Sequence, residues 1–317
     1  MTYYYQVFGL TCASEVEIPA FLPVPASSVK EIDFQVKIGK VERVFEQEAQ
    51  DYDDYTQMNS REFFMEVQEV ARYFVKNGKE VTIEPLTEDW REVLLYFKSN
   101  GMAAILFQNG KIPFHTSGII DHSGGVWLFS GDSGMGKSTT ALKLKERGYA
   151  LFTDDTALLY VENGKCLARA SYPMVKAWPQ TIDNQIAFEK RESFPILKDW
   201  EKQGVFFHEK FMEEALEVKG IVFLKTEGEE IVIRPLKALE GMMQLIPNVY
   251  RGEWVTALNQ NKLQFVTASE IANVVSFCEA IRPENEPTYD AFAAAIDENI
   301  IQARMGVGKS KCLEKVN

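Results

Sequence analysis

The segment GDSGMGKST (131–139) constrains the fold of this 317-residue chain more than any other. It fits the pattern G-x-x-x-x-G-K-[ST] with Gly131, Gly136, Lys137 and Ser138 in the required places. A short apolar run, GGVWLFS, leads into it, and a segment of helical character, STTALKLKERG, leads out. This order predicts a strand, a phosphate-binding loop and a helix, which together begin an α/β unit.

Each residue type in this loop has a physical task. Glycines let the backbone turn tightly, so that its N–H groups and the helix N-terminus cradle phosphate oxygens. Lys137 adds a positive charge toward the β- and γ-phosphates, and the Ser138 hydroxyl completes the shell of a Mg²⁺ ion. The residues that we expect to bind the nucleotide are Gly131, Asp132, Ser133, Gly134, Met135, Gly136, Lys137, Ser138 and Thr139.

A second G-K-S sequence stands near the C-terminus at Gly308, Lys309 and Ser310. Ala303 occupies the place of its first glycine, and no strand-like run leads into it. We interpret this segment as a solvated basic tail.

Two carboxylates, Asp154 and Asp155, end an apolar run in FTDDTALLY (152–160). If that run is a strand, the two side chains point to opposite faces. Many phosphoryl-transfer sites use one acid to hold the metal and another to accept the proton of the attacking hydroxyl. A surface turn that carries two aspartates is the alternative, but the nearby phosphate loop favours the catalytic interpretation.

Composition excludes several classes of function. A formal net charge of −12 argues against nucleic-acid binding, which needs a basic surface. No run approaches the ~18 apolar residues of a membrane span, and the N-terminus lacks the basic region of a secretory signal. Four scattered cysteines without C-x-x-C spacing predict a reduced, cytoplasmic protein without structural zinc.

The pattern along the chain predicts two domains, a strand-rich N-terminal domain over 1–95 and a P-loop domain over 96–317. Asn77-Gly78 and Asn163-Gly164 predict hairpin turns, and the acidic stretch 44–57 is typical of a turn. A helix is expected from Thr87, as its cap, to about Gly110. The segment 219–236 predicts a further pair of adjacent strands.

The segment GDSGMGKSTTALKLKERGYALFTDD (131–155) resembles the catalytic core of HPr kinase/phosphorylase and its relatives. In that family a loop G-x-S-G-x-G-K-S leads through a T-A-L-x-L helix and an R-G break to a D-D pair. KIPFHTSGIID (111–121) resembles the family segment with a histidine shortly before the loop strand. The resemblance covers 111–160 and implies an α/β fold, an HPr-kinase-like (PEP carboxykinase-type) P-loop core with a mixed sheet, beside the smaller N-terminal domain.

The resemblance also implies a chemistry, a kinase that uses ATP and Mg²⁺ to phosphorylate a serine. By this resemblance, Asp154 is the proton-accepting base, and Asp155 organises the metal and the loop together with Ser138. His115 lies near the phosphates or the acid pair. The implied catalytic residues are Asp154, Asp155, His115 and Lys137. HPr kinases are hexamers, so a homo-oligomer is a further expectation.

The substrate is less constrained, because the family's L-E-V-R-G-L-G segment after the acid pair has no counterpart here. Its nearest equivalent, SYPMVKAWPQT (171–181), offers Lys176, and Arg169 is a second candidate for transition-state charge. YQVFGLTCASEVEIPAF and IPFHTSG resemble a divergent branch that includes kinases of lasso-peptide precursors, which act on a C-terminal serine. We therefore expect a peptide or protein partner with an acceptor serine, and neither nucleic acid nor membrane.

Three alternative functions remain open from the sequence. They are an HPr-type protein serine kinase/phosphorylase, a small-molecule kinase acting on serine, and a nucleotide-sensing module without turnover. The aromatic residues Trp178, Phe206 and Phe207 suggest either a pocket for peptide or adenine, or ordinary core packing.

Overall fold

Two large β-sheets follow one another along the chain. The computed structural model describes residues 1–177, 194–196, 201, 203–284 and 288–305. The first sheet has nine strands in the order β3-β1-β2-β4-β9-β8-β7-β6-β5. Its strands are β1 (Tyr3–Val7), β2 (Leu10–Ser14), β3 (Leu22–Pro23), β4 (Phe34–Ile38), β5 (Gln50–Asp53), β6 (Thr56–Met58), β7 (Glu62–Val67), β8 (Ala71–Lys76) and β9 (Glu80–Pro85).

The predicted hairpin at Asn77-Gly78 is confirmed, since β8 and β9 pair antiparallel and both turn residues have positive φ, 55° and 62°. The expectation of a turn over 44–57 is wrong in part, because β5 and β6 lie there. Every residue of β5 is exposed, so its acidic side chains stay hydrated while the strand forms the edge of the sheet.

A long helical segment links the two sheets. It consists of α1 (Trp90–Tyr96), a π-helical turn (Phe97–Gly101) and α2 (Met102–Gln108). The cap is Asp89 rather than the predicted Thr87, because the Asp89 carboxylate accepts the Arg91 N–H at 3.0 Å. The expected end near Gly110 is confirmed by its φ of 65° and by its N–H donating to the Phe107 carbonyl.

The second sheet has eight strands and is mixed, because β11, β18 and β20 are parallel while the other pairs are antiparallel. β11 pairs with both β10 and β18, so β11, β10, β13, β14 and β18 form a closed ring. The strands are β10 (Pro113–Ile120), β11 (Val126–Ser130), β12 (Ala150–Thr153), β13 (Thr156–Glu162), β14 (Lys165–Ala170), β18 (Leu216–Thr226), β19 (Val232–Leu236) and β20 (Ser276–Arg282). A small third sheet contains β15 (Met174–Ala177), β16 (Phe194–Pro195) and β17 (Gln203–Phe206).

The expectation that 219–236 forms a pair of adjacent strands is wrong. β20 lies between β18 and β19, parallel to β18 and antiparallel to β19. β20 pairs with β18 along Gly220–Thr226, so it occupies the edge of β18 with which β19 would pair in a hairpin. A strand some fifty residues downstream leaves no local signal for this insertion.

The remaining helices surround the second sheet. They are α3 (Lys137–Glu146), α4 (Ala238–Leu245), α5 (Asn261–Val274), α6 (Tyr289–Ile296), a π-helical turn (Asp297–Gln302) and α7 (Ala303–Met305). Short 3₁₀ turns occur at Ala26–Ser28, His208–Lys210, Ile246–Asn248 and Gly252–Trp254. The predicted helix after the phosphate loop and the hairpin at Asn163-Gly164 are both confirmed.

The hydrophobic core runs without a break from the first sheet into the second. The Phe21 ring lies 6.2 Å from Phe97 and 5.9 Å from Tyr172. The β1–β2 hairpin also reaches across, since the Phe8 N–H donates to the Ser171 carbonyl at 3.1 Å. The predicted boundary between two domains at residue 95 therefore stays a prediction.

In the described part of the chain, no helix is long and apolar enough to cross a bilayer.

Candidate active site

The phosphate loop begins where β11 ends. Gly131, Gly134 and Gly136 all have positive φ, at 138°, 90° and 96°, a conformation that glycine adopts without strain. Gly131 also passes so close to β18 that a Cβ there would stand 2.6 Å from the Leu224 carbonyl oxygen. Only glycine fits this position, so the conformation and the packing both explain the first residue of the motif.

Lys137 and Asn248 fix the shape of the loop. Lys137 is buried, and its Nζ donates to the carbonyls of Gly131 at 2.8 Å and Asp132 at 3.0 Å. The Gly131 N–H donates to Asn248 Oδ1 at 2.9 Å, and Asn248 Nδ2 donates to the Gln244 carbonyl at 2.7 Å. The first amide of the loop is therefore tied to the end of α4.

The acid pair occupies the bend between β12 and β13, not a strand, so alternation of strand faces does not separate the two side chains. Asp155 instead has φ of 74°, a left-handed conformation that aspartate tolerates better than most residues. Asp154 is 4% exposed; its Oδ1 accepts the Ser117 hydroxyl at 2.7 Å and its Oδ2 accepts the Lys176 N–H at 2.9 Å. Asp154 thus holds β10 and β15 together.

Asp155 faces a different environment. Its Oδ2 forms an ion pair with Lys176 Nζ at 2.8 Å, and its Oδ1 lies 3.7 Å from His115 Nε2. Burial alone would raise the pKa of Asp155, but Lys176, His115 and Lys137 together lower it from 3.8 to about 2. Asp155 is therefore a carboxylate anion at neutral pH.

The basic groups around Asp155 have shifted pKa values as well. Burial and the charge of Lys137 lower the pKa of His115, so its imidazole is neutral at pH 7. Burial would lower the pKa of Lys176, but Asp155 raises it above its ordinary value. Burial and repulsion from Lys176 lower the pKa of Lys98 to about 8.

A small pocket opens beside Asp155 at the junction of the two sheets. Its walls come from the β1–β2 hairpin, the linking helix and the second sheet, and its main residues are Phe8, Lys98, Met102, Asp155, Tyr172 and Tyr250. Tyr250 contacts His115 edge-on with ring centroids 6.0 Å apart, and burial raises the pKa of Tyr250 to about 12. The pocket lining includes one carboxylate, one amine and two phenol groups, together with the hydroxyl residues Ser99 and Thr156.

The structure brings most of the predicted site residues together. His115 and Lys176 both lie beside Asp155, Lys176 also contacts Asp154 through its backbone N–H, and the charge of Lys137 lowers the pKa of both His115 and Asp155. Arg169 does not join them, because its guanidinium packs on Gly9 and donates to the Glu213 carbonyl at 3.3 Å.

The other predicted candidates lie elsewhere. Phe206 packs on Phe194 with ring centroids 4.6 Å apart, and Phe207 is buried in the core. Trp178 and the second G-K-S sequence (308–310) lie outside the described residues.

Sequence reasoning missed several residues of this site, namely Ser117, Lys98, Tyr172, Asn248 and Tyr250. Ser117 and Tyr172 stand in segments that were compared with the family but were not singled out there, and the other three belong to no motif and reach the site through tertiary packing. Only Ser117 had a usable signal, because it stands two residues after His115 on a strand-like run and so shares its side of the sheet.

The donor groups near the loop fit a magnesium ion. Mg²⁺ prefers oxygen ligands and usually keeps several waters and phosphate oxygens, so it needs few protein ligands, and the Ser138 hydroxyl at the start of α3 is a donor of the right kind. Within the ranges that the structure describes, no cluster of three or more His, Cys, Asp or Glu side chains could hold a metal by itself. This donor set suits a metal bound together with a nucleotide.

Comparison with known proteins gives a short sequence match and a structural alignment of low score. No protein-family profile matches the chain. HPr kinase/phosphorylase from two strains of Limosilactobacillus reuteri is 40% identical over 58 residues, which is 18% of this chain and 18% of that protein. The matched segment thus spans about a fifth of the length of those relatives. The Hpr(Ser) kinase/phosphatase from Coxiella burnetii aligns over 62% of this chain and 99% of its own, with 12% identity and a TM-score of 0.32.

Proposed function

We propose that the protein is an ATP-dependent kinase that transfers the γ-phosphate to a serine hydroxyl. The observation that carries this proposal is the close approach of the acid pair to the phosphate loop. The Ser130 hydroxyl, one residue before the loop, donates to the His115 carbonyl at 2.9 Å, and His115 Nε2 lies 3.7 Å from Asp155 Oδ1. The local identity to HPr kinase/phosphorylase supports the same class of reaction.

The loop supplies binding and charge stabilisation. Its glycine-shaped backbone and the N-terminus of α3 hold the phosphates, and Lys137 would exchange its two carbonyl partners for phosphate oxygens. Ser138 would hold Mg²⁺ together with the phosphate oxygens, and the ion supplies charge neutralisation when bound. Because phosphoryl transfer depends mainly on positioning and electrostatics, these groups account for most of the expected rate enhancement.

The geometry favours Asp155 over Asp154 as the group that orients the acceptor hydroxyl and takes its proton. Both oxygens of Asp154 already accept hydrogen bonds, and the side chain is buried. Asp155 instead lines the pocket, and no hydrogen bond to its Oδ1 is formed by the described residues. We therefore assign Asp154 the task of holding the bend, and Lys176 that of keeping Asp155 charged.

The acceptor that we propose is the C-terminal serine of a ribosomally made precursor peptide, of the lasso-peptide type. Its support is the resemblance of the N-terminal segment and of IPFHTSG (112–118) to that branch of kinases. The pocket beside Asp155 is lined partly by Phe8 of the β1–β2 hairpin, and this hairpin of the first sheet would therefore contribute to the acceptor side.

The test is incubation with Mg-ATP and a panel of acceptors, followed by mass spectrometry. The panel contains peptides with a C-terminal serine, the same peptides with that serine amidated or moved inward, an HPr protein and free serine. We expect a phosphopeptide only from the free C-terminal serine, and none from the Lys137→Ala enzyme. Phosphorylation of HPr or of free serine would redirect the substrate assignment. Binding of ATP without any phosphorylated acceptor would instead identify a nucleotide sensor.

A further inference from the structure

Lys98 is a charged residue on the inward-facing side of the helical segment that links the two sheets. The residues of this segment that line the pocket beside Asp155 are Lys98, Ser99, Met102, Ala103 and Leu106, and only the first of them is charged. A lysine is rarely turned toward a protein interior unless its ammonium group has a partner. The position of Lys98 therefore requires an explanation.

The described residues supply no anionic partner for Lys98. Asp155 is the other charged residue of the pocket lining, and it already forms its ion pair of 2.8 Å with Lys176. Among the described residues, Lys98 Nζ forms neither an ion pair nor a hydrogen bond. It lies instead 5.9 Å from the centroid of the Tyr172 ring. A cation over an aromatic face is held in place while its hydrogen-bond donors stay available to a ligand.

The backbone at Lys98 is unusual as well. Lys98 lies in the π-helical turn (Phe97–Gly101) that separates α1 from α2. Single π-helical turns within α-helices are rare and occur frequently at functional sites. Such a turn at the one charged position of this helix face is an independent indication that Lys98 serves a ligand.

The size of the pocket restricts what that ligand can be. The pocket measures about 230 Å³ even when its open mouth is included. Pockets that enclose a drug-sized ligand measure roughly 300–1,000 Å³. The end of a chain fits the smaller space, because only its last residue has to enter. A C-terminal serine brings in a hydroxyl and, a few bonds away, a carboxylate that matches the charge of Lys98.

We propose that Lys98 binds the α-carboxylate of the acceptor serine while Asp155 orients the serine hydroxyl. Lys98 is then a specificity-determining residue, which selects a serine with a free carboxylate over an internal or amidated one. A hydrogen bond between an ammonium group and a carboxylate is charge-assisted and stronger than one between neutral groups. This inference rests on the proposed function, because it presumes that Asp155 faces the acceptor hydroxyl.

The test is isothermal titration calorimetry with two unreactive analogues of the best acceptor in the panel above, in the presence of Mg-ADP. Both analogues are acetylated peptides that end in alanine in place of serine, one as the free acid and the other as the amide. The wild type should bind the acid about ten- to hundredfold more tightly than the amide, as expected for a hydrogen bond to a charged group. If free serine is the best acceptor, alanine and alaninamide replace the peptides, and the same ratio assigns the subsite to a free amino acid.

Three variants complete the comparison. Lys98→Met keeps the length of the side chain without its charge, and should bind acid and amide equally, at the affinity of the wild type for the amide. Lys98→Arg keeps a positive charge and should keep a preference for the acid. Lys111→Met removes an exposed lysine with the same change in net charge, and as the matched control it should keep the wild-type ratio.

The wild type alone gives a second measurement. Burial and repulsion from Lys176 lower the pKa of Lys98 to about 8. The ratio of acid to amide affinity should therefore fall as the pH rises from about 7 to about 9.5. Over this range Asp155 and Lys176 keep their charges, and Tyr172 and Tyr250 stay neutral phenols, since the pKa of each phenol is raised.

Two results would overturn the inference, namely equal affinity of the wild type for acid and amide, or a preference for the acid that Lys98→Met retains in full. Neither affects the proposed kinase function, which is judged by phosphorylation in the acceptor panel. If that panel yields no phosphorylated acceptor, the proposed function and the inference fail together. Should Lys98→Met not fold, a ratio that stays constant over the pH range would overturn the inference by itself.

Discussion

Asp155 and Lys176 form an ion pair of 2.8 Å between the β12–β13 bend and strand β15. The same lysine donates its backbone N–H to Asp154, so one residue contacts both members of the acid pair in different ways. Its main chain fixes the buried carboxylate, and its side chain keeps the pocket-facing carboxylate charged. Because Lys176 binds one aspartate through its backbone and the other through its side chain, the two adjacent carboxylates occupy different environments, and their mutual repulsion is offset.

Replacement of each aspartate should separate the two tasks. Asp155→Asn is expected to lower the rate of phosphate transfer by about 10²–10⁴-fold, the usual contribution of a proton-accepting group. Asp154→Asn should keep measurable transfer but lower the free energy of unfolding by about 1–3 kcal/mol, because an amide cannot accept both of its hydrogen bonds. Single-turnover kinetics and urea unfolding would measure both. The opposite pattern, with transfer lost in Asp154→Asn and retained in Asp155→Asn, would return the base assignment to Asp154.

Stability should depend on pH through Asp155. The folded protein holds its pKa at about 2, below the ordinary 3.8, so the unfolded state binds more protons between these values. The stabilisation, about 2 kcal/mol, is fully present above about pH 5 and is lost progressively as the pH falls through 3.8 to 2. Urea unfolding of the wild type and Asp155→Asn at about pH 5 and about pH 2.5 should show a gap that narrows at the lower pH. A gap that stays constant would mean that Asp155 carries no depressed pKa.

The loop lysine should control nucleotide affinity. Lys137→Ala is expected to weaken Mg-ATP binding by about tenfold or more, because it removes a charge placed on the β- and γ-phosphates. Lys111→Ala removes an exposed lysine near the start of β10 and is the matched control for net charge. Calorimetric titration of both variants with Mg-ATP would make the comparison. Equal affinities of the two variants would show that the nucleotide does not use the loop.

Asn248 lies outside the phosphate loop but should hold it in position through its hydrogen bond with the Gly131 N–H. Asn248→Ala leaves the Gly131 N–H without its acceptor, and an unsatisfied buried donor costs about 1–3 kcal/mol. We expect a lower melting temperature, together with weaker binding of Mg-ATP and of Mg-tripolyphosphate alike. Asn299→Ala, at an exposed site in the C-terminal helical segment, serves as the control and should change neither. Loss of stability with unchanged affinity for both ligands would limit Asn248 to a structural role.

Local signals in the sequence predicted the elements around the loop well. The G-x-x-x-x-G-K-S motif placed β11, the loop and α3, and the two Asn-Gly turns placed their hairpins, because the backbone conformation there is set by the residues themselves. The insertion of β20 between β18 and β19 could not be predicted in this way, since it depends on pairing across some fifty residues.

The same distinction applies to the site. His115, Lys137 and the acid pair belong to recognisable segments, whereas Lys98 and Tyr250 reach the pocket from elements with no motif of their own. Lys176 was a candidate only because SYPMVKAWPQT (171–181) is the nearest equivalent of the family segment that follows the acid pair. Its double contact with Asp154 and Asp155 depends on the course of β15, which the sequence does not specify locally.

The β1–β2 hairpin has a consequence for engineering. Its tip places Phe8, a non-glycine residue with φ of 53°, against the pocket beside Asp155, while Gly9 makes room for Arg169. The first sheet therefore cannot be exchanged as a neutral accessory when chimeras are made with related proteins. A graft that alters this tip would rebuild one wall of the pocket beside Asp155, so variant libraries that target this pocket should include residues 7–10, far in sequence from the phosphate loop.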